Sequence, residues 1–177
     1  KVLISSERLR LIIRFHQKKS YEKIVRNDVQ LLAGVRILDL SRLLPGPYCT
    51  WLLRGMGAEV DRVEPHKGDI ARHIPPLIDG VGAYFASFAK GMRSFRLNFR
   101  HPDACDLLLD LLHNYDVLVE GFRPGTLEQM GLDPTILQER FPRLVIARLS
   151  GYGQSGPMAA TVGHDNNYIG YAGILAG

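Results

Sequence analysis

From Val35 onward the chain alternates short apolar runs with segments of helical period. Val35–Leu40 (VRILDL), Val60–Val63, Asp116–Glu120 (DVLVE) and Leu144–Leu149 (LVIARL) have the length and the Val/Ile/Leu content of strands buried in a parallel sheet. Between the first two lies the turn Ser41-Arg42-Leu43-Leu44-Pro45-Gly46-Pro47, then a predicted helix over Tyr48–Met56, with Pro47 in its first turn and Gly57 at its end. That is a βαβ unit of about thirty residues, which implies parallel pairing and a right-handed crossover. Ser94–Phe99 alternates apolar and polar positions, as a strand with one wetter face does. A helix opening at Pro102 follows, with Cys105, Leu108, Leu109, Leu111 and Leu112 on its buried side, and shorter helices are predicted over Leu127–Met130 and Pro134–Arg140. The pattern predicts an α/β fold built on an open parallel sheet with flanking helices.

Two stretches break the alternation. Residues 65–92 carry Gly68, Pro75, Pro76, Gly80 and Gly82, and so read as a long loop, with Lys67, Arg72, Lys90 and Arg93 in or beside it. Those cations are either solvated or held for an anionic ligand. After Leu149 comes a glycine-rich loop with Gly151, Gly153, Gly156 and Pro157, and the chain restarts as a helix at Gly163-His164-Asp165. A histidine and a carboxylate on such a loop can perform acid–base chemistry. Equally, Asp165 can be no more than a cap, because a carboxylate at a helix N-terminus satisfies free N–H groups. Arg123 stands directly after a predicted strand, where ligands of open α/β sheets bind. It either pairs with Glu120 or Glu128 or grips a phosphate with its planar fork.

Composition narrows the classes. The chain has 177 residues, is 46% hydrophobic and 23% charged, and so suits one globular domain with a real core. No apolar run reaches the roughly eighteen residues of a membrane span. Cys49 and Cys105 make neither a metal cluster nor a disulfide framework and read as free thiols. The net charge of +4 is uneven. Residues 1–30 hold eight Lys/Arg against three acidic residues, a net of +5, which leaves 14 against 15 in the remainder, a net of −1. The basic character belongs to a leader, residues 1–31, expected to be a poorly ordered arm with a short helical face at Leu9, Ile12 and Ile13 and with Phe15 at its margin. Nucleic-acid binding has little support beyond it. The βαβ turn lacks G-x-G-x-x-G, which disfavours a dinucleotide-dependent oxidoreductase.

The segment Ala147–Tyr168 carries Ala147, Arg148, Gly151, Gly153, Gln154, Gly156, Pro157, then Gly163, His164, Asp165, Asn167 and Tyr168. In that spacing it resembles the family III CoA-transferase superfamily (CaiB/BaiF type), and within it the α-methylacyl-CoA racemases. DVLVEGFRPG and the Pro-Gly-Pro entry after the first strand are similar too, whereas AKGMRSFRLNF matches only in part. The resemblance runs from about Leu32 to Gly177 and implies the first part of a Rossmann-like large domain. It implies an enzyme without metal or redox cofactor, in which coenzyme A enters as part of an acyl-CoA substrate. His164 would be one acid–base residue and Asp165 its support. Arg42, Lys90, Arg93, Arg123, Gly151, Tyr152, Gly153 and Gln154 would bind substrate or CoA. The resemblance implies an interlocked homodimer for the full-length protein; the family's second base lies in a later Gly-Asp segment, so this stretch alone is expected to be an incomplete site. The implied reaction is epimerisation of 2-methyl-branched acyl-CoA. The alternatives are CoA transfer between carboxylic acids through an aspartyl-CoA anhydride, or an inactive fragment that only binds. An intracellular location follows from the resemblance: cytoplasmic in a bacterium, mitochondrial or peroxisomal in a eukaryote.

Overall fold

The computed structural model describes residues 30–176 together with the strand Arg14–Phe15. The expected helical face at Leu9, Ile12 and Ile13 lies outside the described residues, and Phe15 is extended rather than helical.

Six strands form the main sheet. They are β1 (Arg14–Phe15), β2 (Arg36–Asp39), β3 (Glu59–Pro65), β6 (Arg93–Leu97), β7 (Val117–Glu120) and β8 (Val145–Arg148), in the order β1-β6-β3-β2-β7-β8. The five from β6 to β8 are parallel, and β1 pairs antiparallel at the β6 edge. The chain therefore builds outward from β2 through β3 to β6, then returns to the other side of β2 for β7 and β8. The strand order reverses between β2 and β7, and the crevice of a doubly wound sheet opens at such a point.

Helices cover the sheet: α1 (Pro45–Gly55), α3 (Ala104–Leu112), α4 (Thr126–Gln129) and α5 (Pro134–Arg140). Successive strand residues point to opposite faces, so Leu38 joins the larger core, with Leu97, Leu108, Leu112, Leu118, Leu127 and Leu137. Its neighbour Ile37 joins a smaller cluster with Ala58, Val60 and Val119, packed against Leu53 of α1. β8 departs from expectation. Leu144 before it is buried, but Val145 is exposed and the rest of the strand is half-buried. Among the described residues β8 pairs with β7 alone, so it is an edge rather than an interior strand.

Residues 65–92 are more ordered than a plain loop. They contain a 3-10 turn (Ile70–His73), a hairpin of β4 (Leu77–Ile78) and β5 (Val81–Gly82), and α2 (Ala83–Phe88). Buried charges fasten them to the sheet. Arg62 of β3 donates to Asp69 (3.1 Å) and faces Asp39 (3.5 Å). Glu64 accepts the Asp69 backbone N–H (2.9 Å) and the Arg72 Nε (2.7 Å), and Arg72 lies 4.0 Å above the Phe85 ring. Charges this deep persist because each is paired and hydrogen-bonded.

Candidate functional site

Two loops meet at the reversal point. Asp39, the last residue of β2, is fully buried and organises the first. It accepts the Ser41 backbone N–H (2.8 Å), the Ser41 hydroxyl, and the Thr50 hydroxyl from α1 (2.8 Å). Burial pushes the Asp39 carboxyl up, against the opposing pull of Arg62, Ser41 and Thr50. Gly46 lies directly on Ser41, where a Cβ would collide with that side chain. The turn is thus pinned, and Arg42 stands exposed on its outer side.

The second loop follows β7. Glu120 is fully buried; one carboxylate oxygen accepts Arg148 Nε (2.7 Å) and the other the Phe122 backbone N–H (2.7 Å). Arg148, at the end of β8, spends its remaining nitrogens on Glu128 of α4 (2.8 and 3.3 Å). Its fork holds the Glu128 carboxyl below the usual range. Both carboxylates that could have paired with Arg123 are therefore taken by Arg148. The Arg123 side chain is exposed and, among the described residues, has no hydrogen-bond or ion-pair partner; its carbonyl accepts the Thr126 N–H (3.0 Å).

A third cation joins this rim. β6 runs out through Asn98 and Phe99 to Arg100, which is exposed. Phe99 and Phe122 meet edge to face with ring centres 6.1 Å apart. With Leu40, Arg42, Val63, Pro65, Thr126 and Met130 they line a cavity of about 220 Å³ beyond the carboxyl ends of β2, β3, β6 and β7. Arg100 was not singled out in the sequence, although the rule that marks Arg123, a cation just past a strand's carboxyl end, applies to it equally.

Lys90 and Arg93 lie elsewhere. They precede or begin β6 and so sit at the amino end of the sheet, opposite Arg42, Arg100 and Arg123. Arg93 is committed to Asp61 of β3 through two hydrogen bonds (2.6 and 2.8 Å), with Glu59 at 3.7 Å.

The glycine-rich loop leaves the carboxyl end of β8 and leads to α6 (Asp165–Tyr171). Tyr168 of α6 joins the two: its ring covers Gly151 and Gly163, where a Cβ would collide with it, and its hydroxyl donates to the Gly163 carbonyl (2.8 Å). Tyr152 meets Tyr168 and Tyr171 edge to face, with ring centres 5.3 and 5.8 Å away. Gly153 and Gly156 take positive φ (86° and 95°), which glycine adopts without strain. The Gln154 side chain is half-buried, and its amide nitrogen finds no partner among the described residues. His164 precedes α6; its backbone N–H donates to Asn167 Oδ1 (2.9 Å), and the Asn167 N–H donates to its carbonyl (2.9 Å). Its imidazole is exposed, as is Asp165 beside it. No hydrogen bond or ion pair joins the two. Among the described residues no group of three His, Cys, Asp or Glu side chains could hold a metal ion, and no helix is long and apolar enough to cross a membrane.

This arrangement places cations, an apolar cavity and an exposed histidine at the carboxyl edge of one parallel sheet, and comparison with known proteins identifies the class. The family model for CoA-transferase family III matches residues 32–177, and the chain belongs to that family. It is 38% identical over 147 residues to the α-methylacyl-CoA racemase of Homo sapiens, covering 82% of this chain and 35% of that protein. It is 37% identical over 183 residues to an acyl-CoA transferase of Fusarium pseudograminearum, covering 97% of this chain and 40% of that one. Among solved structures, a Mycobacterium tuberculosis protein superposes with a TM-score of 0.77 at 36% identity, over 84% of this chain and 42% of its own. A CaiB/BaiF family protein from Brucella suis gives 0.76 at 34% identity, over 81% and 39%. The chain thus spans about two fifths of the length of these relatives.

Proposed function

We propose that the full-length protein epimerises 2-methyl-branched acyl-CoA thioesters, with His164 as one of its two acid–base residues. The observation that carries this reading is the imidazole of His164, exposed at the end of a glycine-rich loop held by Tyr168. A base for an α-proton must reach it directly, and a solvent-open imidazole can take a proton and give it back. His164 removes the α-proton, the electron pair moves onto the thioester carbonyl as an enolate, and a second group returns a proton to the opposite face. That second group lies in the part of the protein outside these 177 residues. Asp165, one position on, supports the charged imidazole at a distance rather than through a bond.

Arg42, Arg100 and Arg123 bind the phosphates of CoA in this reading. An arginine fork suits a phosphate, and the apolar cavity between Phe99 and Phe122 suits a non-charged portion of the same ligand. Gly151, Tyr152, Gly153 and Gln154 line the approach to His164. Lys90 and Arg93 are left out, because they stand at the other end of the sheet.

A second reading is CoA transfer between carboxylic acids through a carboxylate nucleophile. Relatives that are CoA-transferases favour it, among them a succinyl-CoA:glutarate CoA-transferase of Mus musculus at 37% identity. One experiment separates the two. The full-length protein is incubated in deuterated water with a single-enantiomer 2-methylacyl-CoA, with His164→Ala beside wild type, and the α-carbon is followed by NMR. Deuterium uptake with loss of configuration, abolished or made one-sided by His164→Ala, is the expected result. Absence of exchange, with CoA passing to an added free carboxylic acid, overturns it in favour of transfer.

A further inference from the structure

Arg148 belongs to the sequence motif but touches neither the cavity nor His164. It stands between the two functional loops. Its own strand ends there and the glycine-rich loop begins, while its side chain crosses to the loop that carries Arg123. Three of its nitrogens are bound to the two carboxylates nearest Arg123 in the chain. Glu120 is fully buried, where a carboxylate without a paired cation is costly. Glu128 is only half-buried and could pair with any nearby guanidinium.

We infer that Arg148 is a positioning residue for anion binding: by occupying Glu120 and Glu128 together it keeps Arg123 open to the phosphates of CoA. The inference rests on the reading above that Arg123 meets those phosphates. The fork meets three oxygens of the two carboxylates from three separate nitrogens; a lysine presents all its donors from one nitrogen and does not reproduce that span. In an Arg148→Lys variant the ammonium stays with Glu120, where an unpaired buried carboxylate is most costly. Glu128 is then left open. Arg123, five residues before it, pairs with it and is lost to the ligand. A competing surface ion pair of this kind weakens phosphate binding by up to about fivefold.

The test measures binding of CoA, and of pantetheine, which carries no phosphate, to the full-length protein by calorimetry, with melting temperatures to establish folding. Arg148→Lys is expected to weaken CoA about fivefold and leave pantetheine unchanged. Adding Glu128→Gln to Arg148→Lys is expected to restore CoA binding, because no open carboxylate remains. CoA binding untouched by Arg148→Lys, a loss that Glu128→Gln does not relieve, or an equal loss for pantetheine overturns the inference. Should Arg148→Lys not fold, the neutral triple variant Arg148→Gln/Glu120→Gln/Glu128→Gln takes its place. It is expected to bind CoA like wild type, and weakened binding overturns the inference. Arg123→Gln in the same series keeps the two readings apart: CoA binding undiminished there removes Arg123 from the phosphate site, whatever Arg148 does.

Discussion

Glu64 shows how much a single residue contributes to holding the long connection after β3. Burial raises its pKa, but the Arg72 fork, the Asp69 N–H and Ser94 outweigh burial and hold the carboxyl down at about 2, against an ordinary 4.5. A carboxyl lowered by folding adds stability that is fully present above the unfolded value and is lost as pH falls through the folded one. The window here is from about 4.5 down to about 2. Its full worth is at most about 3.5 kcal/mol, at roughly 1.4 kcal/mol per unit. Glu64→Gln is therefore expected to lower stability at neutral pH and to flatten the acid limb. Urea unfolding of both proteins from pH 7 to pH 2.5 reads this directly. Curves that stay parallel down to the lowest pH would show that Glu64 is not held by Arg72.

At the scale of elements, α6 and the glycine-rich loop form one unit through Tyr168. Its ring lies where Gly151 and Gly163 have no side chain, so a methyl group at either position must push it away. Gly151→Ala is expected to displace α6 and with it His164. A displacement of about 1 Å at a catalytic base reduces turnover ten- to a hundredfold. CoA binding, on the other loops, should be unchanged. Deuterium exchange kinetics set beside calorimetric CoA affinity check the split, and a matched fall in both would refute it. This coupling was invisible along the chain. The motif residues were legible as glycines and a tyrosine, but that the tyrosine fills the space of two glycines is a long-range contact. The same limit applies to residues 65–92. Their prolines and glycines hide a turn, a hairpin and a helix whose order comes from Arg62, Asp69, Glu64 and Arg72 meeting across the sheet. The parallel strands and α5, by contrast, were legible from apolar period and Pro134 alone, because local pattern fixes them. β8 has the apolar run of a buried strand, and the strand order places it outermost among the described residues.

At the scale of the whole molecule, the parallel sheet sorts charge by end. Every strand from β6 to β8 points the same way, so each cation just after a strand gathers at one rim and each cation just before a strand at the other. Arg42, Arg100 and Arg123 gather at the carboxyl rim, beside the cavity lined by Phe99 and Phe122. Arg93 sits at the amino rim, bound to Asp61, which also accepts the Tyr115 hydroxyl (2.7 Å). Sequence position alone shows a cation near a strand, and it takes the strand direction to show which rim it serves. The consequence is a division of labour that substitution can expose in the full-length protein. Arg42→Gln and Arg100→Gln are each expected to weaken CoA binding about tenfold, the worth of one charge-assisted contact, and to reduce its dependence on salt. Arg93→Gln should leave CoA binding intact and instead cost about 1 kcal/mol of stability, since Arg93 is largely exposed and the buried Asp61 keeps the Tyr115 hydroxyl. Calorimetry at two salt concentrations, with a denaturant midpoint for each variant, reads both quantities. If Arg93→Gln weakened CoA as strongly as Arg100→Gln, the ligand would have to span both rims of the sheet, and the carboxyl-edge site would be only part of the binding surface.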